Sequence, residues 1–249
     1  MPELDRGGWR LRYEVAGDGA DLVVFTHGFG ATAETWRHQV AALAPSYRVL
    51  TWDLRAHGRS GSPDEPITIG SLAEDLAAVV RTVGGGRPAH ALGHSAGGVI
   101  TMRFAIDFPE LVRSLILVGT ASECNAKAHA WYESLAVTAE TQGGEALLKK
   151  LGSRDVTDMP PDGRGFARIS RAMGGLHTDP LTSALAAVRC PTLVIVGEKD
   201  FLGVGGSVII SRKIAGAELQ IVPERGHALF HEDPPAFNER LLTFLRSVR

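Results

Sequence analysis

Gly93-His94-Ser95-Ala96-Gly97 places a serine between two glycines, directly after the apolar residues Ala89, Ala91 and Leu92. Gly98-Val99-Ile100-Thr101-Met102 follows at once, so the stretch reads as strand, sharp turn and helix. A turn that tight forces its middle residue to positive φ, and small residues on either side remove the clashes a Cβ would make. The Ser95 hydroxyl then stands clear of the backbone at a helix N-terminus, where unpaired N–H groups and the helix dipole receive developing negative charge. That geometry suits attack on an acyl carbonyl. A serine hydroxyl is a poor nucleophile at neutral pH, so it requires a base, and the base requires an orienting acid.

Nine histidines compete as the base. His38, His90, His129 and His177 lie among surface-like residues and are predicted to face solvent. His94 adjoins the serine, but on such a turn it points away. His27 and His57 sit in loops after strands, where an imidazole ties a loop by hydrogen bonds. His231 lies toward the final helix. His227 follows Pro223-Glu224-Arg225-Gly226 after the last strand, at the carboxyl edge of the sheet where doubly wound folds bind ligands.

For the acid, Gly197-Glu198-Lys199-Asp200 follows a buried strand; Asp200 is the first choice and Glu198 the second. Asp53 is the rival, also at a strand's carboxyl end, with Arg55 and Arg59 beside it predicting an internal ion pair. The loop His27-Gly28-Phe29-Gly30 supplies a backbone N–H at Phe29 that, with that of Ala96, would hold an oxyanion. Each such donor is worth about 10² to 10³ in rate.

These residues need a scaffold, and the chain offers an alternation of strands and helices. Trp9 to Val15 alternates apolar and charged residues, as a half-exposed antiparallel strand does. Leu22-Val23-Val24-Phe25 is a continuous apolar run, as expected of a strand covered on both faces. A helix with Trp36, Val40 and Leu43 inward, a strand over 47–52 and a helix with Leu72, Leu76, Val79, Val80 and Val83 on one face lead to the serine turn. Leu115 to Val118 is another strand. From about 121 to 182 no strand-like run occurs. Phe166, Ile169 and Met173 share one face there, and a helix is predicted to follow Asp179 with Leu181, Leu185 and Val188 on its stripe. Strands then resume at Leu193–Val196 and Glu218–Val222, with helices over 208–214 and from Phe237 to Val248.

This predicts an α/β fold: a mostly parallel twisted sheet with helices on both faces, its core at residues 1–120 and 183–249. Residues 121–182 are predicted to form a small all-helical cap inserted into it. At 249 residues with 44% hydrophobic and 22% charged composition, the chain has the make-up of a soluble globular protein. A net charge of −2 with no Lys/Arg block argues against nucleic acid or an anionic membrane as partner. The N-terminus has no apolar signal region and no stretch is long enough to span a bilayer, so a cytoplasmic location is expected. Cys124 and Cys190 are expected to stay reduced, Cys190 as a buried structural thiol. No residue cluster has metal-ligand spacing, and Gly203-Val204-Gly205-Gly206 lacks the full dinucleotide fingerprint, so no metal or cofactor is expected.

With Ser95, Asp200 and His227 in that order, nearly the whole chain resembles the α/β-hydrolase superfamily, most closely small capped esterases and 3-oxoadipate enol-lactonases. The resemblance implies Ser95 as nucleophile, His227 as base, Asp200 as its partner, and Phe29 and Ala96 as the oxyanion hole. It implies hydrolysis of a small-molecule ester or lactone, since serine at 95 departs from the aspartate of dehalogenases and epoxide hydrolases. Trp131, Phe166, Met173, Leu229 and Phe230 are candidates for an apolar pocket, and Arg168 or Arg171 for an anion contact to an enol-lactone. Some relatives with an intact triad serve instead as small-molecule receptors. Two departures stand out: Ala56 replaces the usual Gly of an Arg-Gly-His-Gly loop, and Phe201–Gly206 replaces a Pro-containing segment after Asp200.

Overall fold

The structure is a computed structural model and describes residues 2–151 and 163–248. The chain opens with β1 (Glu3–Asp5), β2 (Arg10–Ala16) and β3 (Leu22–Thr26). A short 3-10 turn at Ala33–Trp36 leads into α1 (Arg37–Leu43), then β4 (Arg48–Trp52) and α2 (Ile69–Gly84). Next come β5 (Ala89–His94), α3 (Ala96–Asp107) and β6 (Val112–Val118). Helices α4 (Ala126–Leu151) and α5 (Arg164–Gly174) follow. The chain ends with β7 (Thr192–Gly197), α6 (Gly205–Lys213), β8 (Glu218–Val222), α7 (Leu229–Glu232) and α8 (Pro234–Ser247).

The strands form one sheet in the order β1-β2-β4-β3-β5-β6-β7-β8. From β4 to β8 the pairings are parallel, while β1 and β2 run antiparallel at one edge. The expected α/β sheet is therefore present. β1 is an addition, three residues being too few to show a pattern.

Alternation along each central strand explains the unbroken apolar runs. Val24, Leu50, Ala91, Leu115, Leu117 and Val194 pack on one side, with Leu72, Leu76 and Val80 of α2 and Ile100 and Phe104 of α3. Val23, Phe25, Val49, Leu92, Ile116 and Ile195 face the other side, against Trp36, Leu43, Phe237 and Leu241. Both faces are covered, as a parallel sheet requires.

The chain reverses its direction of winding between β3 and β5. After β3 it adds β4 on one side, then crosses back to lay β5 on the other. Thr26 at the end of β3 is paired with Gly93 near the end of β5, so the loops leaving them emerge side by side. That crevice is where doubly wound sheets bind ligands.

Between β6 and β7 the described residues contain helices and turns but no strand. Leu135, Ala136, Ala139 and Leu147 of α4 form a separate apolar cluster with Phe166 and Ala167 of α5. α4 is longer than its sequence signal, because it continues through a kink at Gly143, where φ is 83°. Residues 152–162 of the expected cap lie outside the described residues. The predicted helix after Asp179 is only a 3-10 turn at Ala184–Ala187, although Leu181, Leu185 and Val188 are all buried.

His90 corrects its sequence reading. It is buried on β5, with Nδ1 2.7 Å from the Ser114 hydroxyl, because the strand is covered on both faces. Cys190 is half-buried rather than buried. Among the described residues no helix is long and apolar enough to cross a membrane.

Candidate active site

Ser95 lies between the last residue of β5 and the first of α3, at φ 54° and ψ −120°. Its own N–H donates to Val118 at 2.9 Å, and its carbonyl accepts from Gly98 and Val99 and from the Thr120 hydroxyl. The strained turn is thus held from both neighbouring elements, as an unfavourable backbone conformation must be. The helix passes so close to β3 that a Cβ on Gly97 would run into the carbonyl oxygens of Thr26 and His27. Glycine there is a requirement of contact.

His227 follows β8, and Asp200 follows β7. His227 Nδ1 is 2.9 Å from both carboxylate oxygens of Asp200. The carboxylate side chain is fully buried and also receives the Leu202 N–H at 2.8 Å. A carboxylate only accepts, so Nδ1 is the nitrogen that carries a proton, and in the neutral imidazole the lone pair is on Nε2. Gly119, at φ +53° just after β6, lets the chain pass this pair: a Cβ would stand 2.9 Å from Asp200 Oδ2 and 3.2 Å from His227 Nδ1. A glycine directly after the Leu115–Val118 run is the one sequence signal that could have marked it.

The loop His27–Gly30 is braced by two imidazoles. His27 donates from Nδ1 to the Gly28 carbonyl at 2.8 Å and accepts the Leu54 N–H at Nε2, 3.0 Å away. His57 accepts the Gly30 N–H at 3.0 Å and donates to the Arg55 carbonyl at 3.1 Å. Burial lowers the pKa of both, that of His57 to about 3, so both stay neutral and can accept as well as donate. Among the described residues the Phe29 N–H has no hydrogen-bond partner. Ala96 is the first residue of α3, where N–H groups lack intrahelical acceptors.

The other acid candidates are otherwise occupied. Asp53 is buried and pairs with Arg12, accepting also from the N–H groups of Ala33 and Arg59. The ion pair expected of it exists, but not with Arg55, which binds Asp75. Glu198 accepts the Glu224 N–H at 3.1 Å on an exposed turn.

Ser95 and His227 line one cavity of ≈ 620 Å³, together with Gly28, Phe29, Trp131 and Phe230. The structure does not bring Phe166, Met173 or Leu229 to it. The first two are fully buried, Phe166 between α4 and α5 and Met173 in the main core cluster. Leu229 packs in the layer under α8. Arg168 pairs with Asp64 and Arg171 with Glu133 and Glu140, all away from the cavity. Sequence reading missed the wall residues Tyr132, Phe201 and Leu202, and also Arg37, Thr35 and His231, the last two 2.7 Å apart. Ala56, where the resemblance implies glycine, has φ 59°, a conformation that glycine adopts without strain.

The pattern of the alpha/beta hydrolase family matches residues 23–240. The chain belongs to that family. Three proteins illustrate the likeness within this hydrolase family. RutD of Rhizobium rhizogenes, whose name proposes a carbamate hydrolase, is 29% identical over 95% of this chain and 98% of its own. The crystal structure of the enol-lactonase from Burkholderia xenovorans superposes with a TM-score of 0.88 at 26% identity, covering 98% of this chain and all of that one. A hydrolase from Pseudomonas aeruginosa gives a TM-score of 0.84 at 28% identity, over 98% and 97% of the two chains. The likeness to each of the three spans nearly the whole chain.

Proposed function

We propose that this α/β hydrolase cleaves carboxylic esters, lactones included, through an acyl-enzyme on Ser95. The observation that carries the reading is the meeting, in one cavity, of a serine at a strained strand–helix turn and a histidine held by a buried aspartate. Ser95 Oγ attacks the carbonyl carbon while His227 Nε2 takes its proton. The oxyanion that forms is held by the N–H groups of Phe29 and Ala96. The C–O bond breaks as His227 returns the proton to the departing alcohol. A water then gives a proton to His227 and attacks the acyl carbon, and as the acyl–Oγ bond breaks His227 passes that proton to Ser95 Oγ, releasing the acid and restoring the serine.

Asp200 keeps the imidazole in the tautomer that can accept and balances the charge that forms. Residues 121–182 serve as the cap over a core of 1–120 and 183–249, with Trp131, Tyr132 and Leu151 of α4 lining the cavity. The likeness to an enol-lactonase supports a lactone among the substrates. The test is a panel of aryl esters, lactones and carbamates with the wild type and Ser95→Ala. Release of acid lost with the hydroxyl, and wild-type labelling by a fluorophosphonate, is the expected result. A Ser95→Ala enzyme as active as the wild type ends the proposal.

A further inference from the structure

The segment after Asp200 departs from the family pattern, and the mechanism above gives it no task. Phe201 is 71% exposed, Leu202 48% and Trp131 40%, and all three line the Ser95 cavity. Large apolar side chains left open to water at the mouth of a cavity gain by being covered by an apolar ligand. The Phe201 ring also packs on His227, with centroids 4.5 Å apart and planes inclined by 60°.

That contact fixes which part of a substrate Phe201 meets. The proton that His227 takes from Ser95 must pass to the oxygen of the departing alcohol, so this oxygen lies within hydrogen-bond reach of the imidazole. The carbonyl oxygen is directed elsewhere, to Phe29 and Ala96. A ring packed on the imidazole therefore borders the alcohol rather than the acyl group. We propose that Phe201, with Leu202, forms the wall of the leaving-group subsite and selects esters of apolar alcohols, such as butyl, hexyl or benzyl esters. The inference rests on the roles of Ser95 and His227 proposed above. Nothing lies within 4 Å of a Cβ placed on Gly203 or Gly205, so the loop has open space in which to adjust.

Two ester series separate alcohol from acyl selection: ethyl, butyl, hexyl and benzyl butyrate, and the methyl esters of acetic, butyric and hexanoic acids. All butyrates share one acyl-enzyme, so only the steps up to alcohol release read Phe201. In the wild type kcat/KM is expected to rise along the alcohol series. Phe201→Ala should lower the benzyl-to-ethyl ratio about tenfold, chiefly through KM, and Phe201→Leu should keep most of it. The slope of the acyl series should persist in both variants. An unchanged benzyl-to-ethyl ratio, or a loss confined to the acyl series, overturns the proposal while Ser95 is still labelled by a fluorophosphonate. No turnover of any ester and no labelling of Ser95 overturns both this proposal and the reading beneath it.

Discussion

The imidazole of His94 reaches under the loop that carries His227 and donates from Nε2 to the main-chain oxygen of that residue, 3.1 Å away. The two rings also pack against each other, with centroids 4.6 Å apart and planes inclined by 52°. Burial, and the proximity of His227, push the His94 pKa well below the ordinary value, so it stays a neutral donor. The residue before the nucleophile thus anchors the proposed base. Removing a buried donor costs about 1–3 kcal/mol. For His94→Ala we expect a stability loss of that size and a kcat about tenfold lower, a 1 Å drift of a reacting group being enough for that. Urea unfolding and steady-state kinetics measure the two, and an unaltered kcat with a normally folded variant counts against the anchoring role.

Asp200→Asn keeps the volume of the side chain but offers Nδ1 of His227 an amide. If the amide donates, the imidazole adopts the tautomer with its proton on Nε2, and the base is lost. The expected fall in kcat is about 10³- to 10⁴-fold, with near-normal stability. A fall of less than tenfold would show that Asp200 does not orient the base.

Gly165 of α5 sits against Ala56. A Cβ at 165 would overlap that of Ala56 and stand 2.6 Å from the Ser62 hydroxyl. Gly165→Ala should destabilise by about 1–3 kcal/mol. Ala56→Gly removes the blocking methyl and relieves φ 59°, so adding it should restore part of the loss. Additive effects in the double-mutant cycle would mean that the two residues are not in contact in solution.

Acid should weaken the fold. Burial lowers the pKa of His27, His57, His90 and His94, that of His90 to about 4 and that of His57 to about 3. Below about 6.5 the unfolded chain takes up protons that the folded one refuses. Stability is then complete above that pH and declines toward pH 4, by up to about 1.4 kcal/mol per pH unit for each group. Thermal unfolding at pH 7, 6 and 5 checks this, and a melting temperature constant across that range contradicts it.

The sequence showed the parts of the site whose geometry is local. The turn around Ser95 depends on its own glycines, and the edge positions of Asp200 and His227 follow from where two apolar runs end. What it concealed depends on partners far along the chain. Asp53 meets Arg12 across 41 positions, and Arg171 is claimed by Glu133 and Glu140 of α4. Periodicity marked Phe166 and Met173 as inward-facing, but inward meant the packing of α5 rather than the cavity. His90 looks like a surface residue because a polar side chain interrupts the run, and only Ser114 on the next strand explains its burial.

Gly97 is pressed between strand and helix, whereas Gly205 stands in open space in the stretch that follows Phe201 and Leu202, two residues of the cavity wall. Random substitution therefore has very different consequences at the two places. Around the nucleophile almost every change breaks the turn, yet the rim accepts new side chains without disturbing it. A library confined to positions 201, 202 and 205 should yield many folded proteins with altered tastes, and one confined to 93–97 almost none. Inheritance and laboratory evolution alike would find novelty at the lip and constancy at the hinge of the chemistry.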